Sequence, residues 1–288
     1  TVTAAPLAVL PEDPITGFPR ISSIGDVLVP PRPIVTPSSA GLAVGSTTLV
    51  INGFNFDPTA AGNMVILSSG AGSVTAATAT QLTVSLSQAP SLGALTAVVT
   101  SFGLSSGSPV QVANVVPAPT VSLSSASRAV NSPTTLVIAG TGFDSTAAGN
   151  QVVLSSGAFT VASATSTSLT LTFTQAPNLG SLTAVVTSFG GSSGAAVQVA
   201  TIVAAPTVTQ VTSNLGADSA SMIILGTGFN AATPGANLVS FNLGAAGTVQ
   251  SATTTSLVVS FSSKPTSTQA LSAVVTSFGG QSSGGTPV

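Results

Sequence analysis

The sequence predicts an all-β chain: three tandem β-sandwiches preceded by an extended, proline-rich N-terminal arm. Three observations carry this. A long segment recurs three times, its strands alternate apolar with small hydroxyl residues, and residues 1–32 share neither feature.

The recurrence is the first signal. "INGFNFDPTAAGNMVILSSGA" (51–71) matches "IAGTGFDSTAAGNQVVLSSGA" (138–158), with a looser third copy, "ILGTGFNAATPGANLVSFNLGA" (224–245). "LTAVVTSFG" occurs at 95–103 and 182–190, and "LSAVVTSFG" at 271–279. The units this defines are 33–118, 119–205 and 206–288. A period this long is a whole small domain rather than one turn of a solenoid. Between units lie "VVPAPTV" (115–121) and "IVAAPTV" (202–208), short proline joints expected to be semi-rigid and to give a rod of domains.

Inside each unit the period is two. "SLTLTFTQ" (168–175) sets Leu169, Leu171 and Phe173 on one face and threonines on the other, the pattern of a half-buried strand. "PTVSLSS", "TTLVIAGTGF", "NQVVLSSG", "FTVASATS", "GSLTAVVTSFG" and "AAVQVATIV" complete about seven strands per unit, separated by turn residues as in a two-sheet sandwich. Val, Thr, Ile and Phe dominate, and these fit a pleated surface. No stretch carries a helical stripe.

The order Gly-Thr-Gly-Phe, then Asn-x-Val, then "SATSTSLTLTF", then "LTAVVTSFGGSSG" resembles the IPT/TIG branch of immunoglobulin-like domains. More narrowly, it resembles the form found in tandem in bacterial secreted and cell-surface proteins. The resemblance covers residues 33–288, and the third unit departs from it at its end. It implies an Ig-like fold and a modular interaction role, and no chemistry.

The arm, 1–32, holds Glu12, Asp13, Arg20, Asp26 and Arg32, half of all charged residues. Eight of the nineteen prolines lie within residues 1–40, which rules out helix there. Apolar pieces survive at "PLAVLP" (6–11) and "ISSIGDVLV" (21–29). The plain reading is a leader or linker. The sharper one is an extended arm that pairs with something.

Composition narrows the function. Hydrophobic residues make up 43% of the chain and charged residues 3%, with four basic and six acidic side chains and a net charge of -2. Four scattered cations cannot neutralise a phosphate backbone, so nucleic acid is not an expected partner. A nearly uncharged surface repels its neighbours weakly and favours association. No window approaches a membrane-spanning length of unbroken apolar residues, so no membrane insertion is expected. The chain begins at Thr1 without a leader; the expectation is an extracellular or cell-surface protein whose signal peptide has been removed.

No enzyme is expected, and no cofactor or metal. His, Cys, Tyr and Trp are all absent, which removes the common general base, the soft metal ligands and the catalytic thiol. The repeats offer only Lys264 as an activating amine for a serine, in a turn-like context that favours a solvated lysine. Asp57 and Asp144 align with Asn230, and Asn63, Asn150 and Asn237 align with each other. Calcium needs several converging carboxylates, and each loop offers one at most. Asp, Asn and Thr bonding their own turns is the stronger reading. "GTGF" (140–143, 226–229) lacks the rest of a nucleotide loop, and Phe143 and Phe229 are expected in the core. Sugar binding is disfavoured because the twelve phenylalanines are the only aromatics and at least six sit at repeated, core-like positions. O-linked glycans on Ser and Thr stay open.

The last strand of the first two units reads "PVQVANVV" and "AVQVATIV"; in the third it stops at Pro287 and Val288. A sandwich lacking that strand exposes an apolar groove and an unpaired edge, with Phe278, Pro287 and Val288 marking the acceptor end. The arm offers a replacement: "DVLVPPRPIV" (26–35) resembles "ANVVPAPTV" (113–121). The favoured donor is 21–29 through Ile21, Ile24, Val27, Leu28 and Val29, and the runner-up is 1–11 through Leu7, Val9 and Leu10. Asp26 shares a strand face with Ile24 and Leu28, so the Val27–Val29 face avoids burying a carboxylate. A rod of three sandwiches spans roughly 100 Å, whereas thirteen residues reach at most about 40 Å, so unless the rod folds back the arm fills another copy. The expected partner is the chain itself, joined head to tail into an extracellular filament or surface fibre. The alternative is an adhesive or spacer segment of a larger surface protein. A sugar-binding array is the weaker third reading.

Overall fold

The computed structural model describes residues 9–12, 19–21, 30–132, 134–216 and 218–288. By their internal packing the residues form two compact units. One comprises Thr1–Ala40 with Thr48–Asn114, the other Gly41–Thr47 with Val115–Val288.

The second unit contains a complete sandwich whose two sheets explain the sequence pattern. One sheet runs Thr120–Val121, Thr135–Thr141, Ser168–Gln175, Ala158–Ala164. The other runs Ser127–Ala129, Val197–Val203, Gly180–Ser188, Asn150–Leu154, with Gly191–Ser192 folded back on Gly180–Ser188. This is the strand order of an immunoglobulin-like domain. The same two-sheet arrangement is built in the first unit around Thr48–Phe54, Gln81–Gln88 and Gly93–Ser101, and again around Ser221–Thr227, Ser256–Ser263 and Ser272–Ser277.

Alternation fills the core. Along Ser168–Gln175 the inward side chains are Leu169, Leu171 and Phe173, and they meet Leu136, Ile138, Phe143, Leu182, Ala184 and Val186 from both sheets. Phe56, Phe143 and Phe229 are almost completely buried. Each packs against a glycine three residues earlier, Gly53, Gly140 and Gly226. A Cβ on Gly140 would stand 2.0 Å from the Thr120 carbonyl oxygen and 2.4 Å from the Phe143 ring. Glycine there lets the first strand and the ring close on the same backbone.

Alternation breaks where a bulge inserts a residue. Leu182 opposes Ala200 but Thr183 opposes Gln198, so Val199 is extra. Val199 and Ala200 are consequently both buried. The repeated Ser-Phe-Gly phenylalanines depart from the core pattern too. Phe102, Phe189 and Phe278 occupy hairpin turns with φ of 52°, 52° and 50°.

Only four bonds in the sequence follow Lys or Arg: after Arg20, Arg32, Arg128 and Lys264. Arg32 and Lys264 precede prolines, and Arg128 is partly buried in a paired strand. Native digestion with trypsin is expected to stop at a single cut after Arg20. Mass spectrometry showing early cleavage after Arg128 would contradict the packing of that strand.

Candidate strand-acceptor site

In the complete sandwich the strand Val197–Val203 lies between two rails. On one side it pairs antiparallel with Gly180–Ser188, with Leu182 opposite Ala200 and Gly180 opposite Ile202. On the other it pairs parallel with Ser127–Ala129, with Ser127 opposite Thr201 and Ala129 opposite Val203. Val199, Ala200 and Ile202 contribute to the core.

The last sandwich keeps the antiparallel rail and part of the strand. Thr286–Pro287 opposes Ala273 and Ser272, the register in which Val197 and Gln198 oppose Ala184 and Thr183. Val211 N–H donates to the Pro287 carbonyl at 3.0 Å, as Ser124 N–H donates to Gln198 at 2.9 Å. Val288 N–H donates to the Leu271 carbonyl at 2.9 Å. Beyond Val288 a groove of about 910 Å³ opens, walled by 210–216 on one side and 265–271 on the other, with Pro287 and Val288 at its end. The core beneath contains Leu271, Ala273 and Val275, with Val288 packed against it. Among the described residues nothing stands where Ala200 and Ile202 stand in the complete sandwich.

Of the residues singled out in the sequence, Pro287 and Val288 therefore line the groove. Phe278 lies in the hairpin turn, where its carbonyl accepts from Ala129 N–H at 2.9 Å. On the donor side, Val9–Glu12 pairs antiparallel with Pro19–Ile21, Val9 standing opposite Ile21. Leu7, Ile24, Val27, Leu28 and Val29 lie outside the described residues. The groove's outer wall, Asn214, Leu215 and Gly216, was not legible as a site. Three residues of irregular backbone have no periodicity to read, and their only signal is their alignment with "SRA" at 127–129.

The aligned acids and amides form a different device. Asn150 is buried; its Oδ1 accepts from Asp144 N–H at 3.0 Å and from the Ser188 hydroxyl. Its Nδ2 donates to the carbonyls of Asp144 and Thr146 at 2.7 and 3.0 Å. Asp144 Oδ1 accepts from Thr146 N–H at 2.7 Å. Asn63 repeats every one of these bonds, and Asn237 repeats the loop bonds with Asn230. The amide locks a loop that no ladder satisfies. Asn150→Ala strands several buried donors and acceptors, with an expected cost of about 2–4 kcal/mol. Chemical denaturation measures it, and a loss below about 1 kcal/mol would contradict the assignment. No group of three or more His, Cys, Asp or Glu converges among the described residues. None of their helices is long and apolar enough to cross a membrane.

No protein-family model and no curated protein sequence matches the chain. Solved structures do. The plexin A4 full extracellular region is 11% identical, covering 88% of this chain and 24% of that one, with a TM-score of 0.42. This chain thus spans about a quarter of that protein's length. The Escherichia coli adhesin FdeC is 14% identical over 88% of this chain and 95% of its own, with a TM-score of 0.31. SGBP-B of the Bacteroides ovatus mixed-linkage glucan utilization locus, in complex with a mixed-linkage heptasaccharide, is 17% identical. It covers 63% of this chain and 48% of that one, with a TM-score of 0.25. The Ig-like assignment here rests on the chain's own strand order and register.

Proposed function

We propose that the protein is a structural subunit of an extracellular filament, in which the N-terminal arm of one copy completes the last sandwich of the next. The observation that carries this reading is the groove between 214–216 and 269–271, walled on both sides and with an apolar core beneath.

The arm supplies a strand in a defined register. Aligning "PIV" (33–35) with "PTV" (206–208) sets Val29 at the place of Ile202, Leu28 at Thr201 and Val27 at Ala200. Val27 and Val29 then point into the core, as Ala200 and Ile202 do. Asp26 falls at the place of Val199, which Val288 already holds, so the arm enters at Val27 and the carboxylate stays outside. Burying two valines contributes roughly 3–6 kcal/mol. Ordering three residues costs about as much. Backbone bonds to the groove's two walls decide the balance, which suits a contact repeated along a polymer.

The donated strand leads through Pro30–Pro33 into the donor's first sandwich, as Val197–Val203 leads through Ala204–Pro206 into the sandwich after it. The junction between copies repeats the connection within a chain, is head to tail, and does not close on itself.

A second reading is supported by the register of Thr286–Pro287, which starts the final strand in its usual place. There the strand continues within one longer polypeptide, and the three sandwiches are a spacer or adhesive segment of a surface protein. Deleting residues 1–29 separates the two. A filament subunit loses assembly, and a synthetic 21–32 peptide binds the truncated chain. Polymers that persist after the deletion, or no peptide binding, would sink the filament reading.

A further inference from the structure

Within the second unit one contact occurs twice. Segment 41–47 meets the Phe189 turn: Ala43 N–H donates to the Phe189 carbonyl at 2.8 Å, and the Ser46 hydroxyl donates to the same oxygen at 3.0 Å. Segment 127–132 meets the Phe278 turn: Ala129 N–H donates to the Phe278 carbonyl at 2.9 Å, and Asn131 Nδ2 to the Gln281 carbonyl at 2.7 Å. Both docking segments close on themselves in the same way. Ser46 N–H donates to Ala43 at 3.0 Å and Ser132 N–H to Ala129 at 2.9 Å.

Each half of this contact occurs once more. Ser219 N–H donates to Gly216 at 3.0 Å, so Gly216 and Ser219 close as Ala43 does with Ser46 and Ala129 with Ser132, with Gly216 in the place of Ala43 and Ala129. Phe102, with φ of 52°, is the same acceptor turn. Its ring is 47% exposed, whereas those of Phe189 and Phe278 are partly buried. Beside it Ile34 and Phe54, a cross-strand pair, are 55% and 56% exposed. The equivalent pairs are hydroxyls, Thr120 with Thr141 and Thr207 with Thr227.

The sizes of the two halves are matched. Where the docking turn carries alanine, the acceptor carries glycine. A Cβ on Gly191 would stand 2.5 Å from Ala43 Cβ, and one on Gly280 would stand 2.4 Å from Ala129 Cβ and closer still to Asn131 Oδ1. At the corresponding place after Phe102 the residue is Leu104, which opposes Ser101 as Gly191 opposes Ser188 and Gly280 opposes Ser277. A leucine there excludes an alanine-bearing turn. Of the three docking residues, only Gly216 has no Cβ to meet it.

We propose that the Phe102 turn, with Leu104, is an intermolecular docking surface whose occupant is a second copy, docking through Gly216 and Ser219, with Gly216 N–H donating to the Phe102 carbonyl. This rests on the head-to-tail reading above and adds to it a second contact, made by residues that also wall the groove but directed at a different part of the neighbouring copy. It also makes each junction selective, since an alanine turn is rejected by Leu104.

The experiment is a size swap in the full-length chain. Gly216→Ala has room in the isolated chain, where the added Cβ meets only the Ser219 hydroxyl at 3.3 Å. It is expected to raise the concentration needed for assembly by roughly tenfold or more, the cost of overpacking against Leu104. Adding Leu104→Gly recreates the alanine–glycine pair of the internal contacts and is expected to restore assembly. Unchanged assembly of Gly216→Ala overturns the proposal while leaving strand donation standing. Loss without rescue by Leu104→Gly also overturns it, because Gly216 then acts elsewhere. A wild-type chain that does not assemble overturns the head-to-tail reading and this contact with it.

Discussion

Val29→Asp is expected to abolish assembly, and Val27→Asp to do nearly the same. Each places a carboxylate where Ile202 or Ala200 packs in the complete sandwich, both of them buried. Burying an unpaired charge costs several kcal/mol, which corresponds to a loss of about a thousandfold or more in affinity. Leu28→Asp is the control. Leu28 takes the place of Thr201, whose side chain is on the outer face and donates to the Ser125 carbonyl. It is expected to assemble within a few-fold of the parent. Sedimentation of the three variants at graded concentrations reads the effect directly. The reverse pattern, with Leu28→Asp inactive and Val29→Asp tolerated, would mean the Ile24–Leu28 face points inward and would overturn the register.

Phe143→Ala is expected to unfold its sandwich at markedly lower denaturant, by about 3–5 kcal/mol. The ring is 2% exposed and sits at the centre of a core drawn from both sheets. Gly140→Ala probes the same spot from the other side. Its Cβ would enter the space of the Thr120 carbonyl and the Phe143 ring, and backbone cannot give way as a flexible side chain can. A loss of about 1–3 kcal/mol is expected, through displacement of the first strand. Urea titration followed by far-ultraviolet circular dichroism measures both. Wild-type stability for Gly140→Ala would contradict the close approach of strand and ring.

How much the sequence disclosed depends on where side chains alone decide the structure. Ser168–Gln175 was legible because every second residue is apolar and every one of those is buried. The Gly-Thr-Gly-Phe motif was legible because a large ring after two glycines needs a place to go. Val199 and Ala200 were not, since a bulge moves a residue across the sheet without changing the local pattern. Nor was the role of the Ser-Phe-Gly phenylalanines, whose left-handed backbone is a property of the hairpin rather than of the residue. The acceptor groove was half legible. Comparing the repeats exposed the shortened strand at Pro287–Val288, but the wall at 214–216 is irregular backbone and carries no periodic signal of its own. The alanine–glycine match between docking and acceptor turns could be recognised only after the turns were seen in contact.

Strand donation is tested most directly by electron cryomicroscopy of assembled native protein at a resolution that shows side chains. The account predicts density between 214–216 and 269–271 that traces to Val27, Leu28 and Val29 of a neighbouring copy and continues through Pro30–Pro33 into its first sandwich. Density that instead continues from Val288 of the same chain through that groove would contradict it.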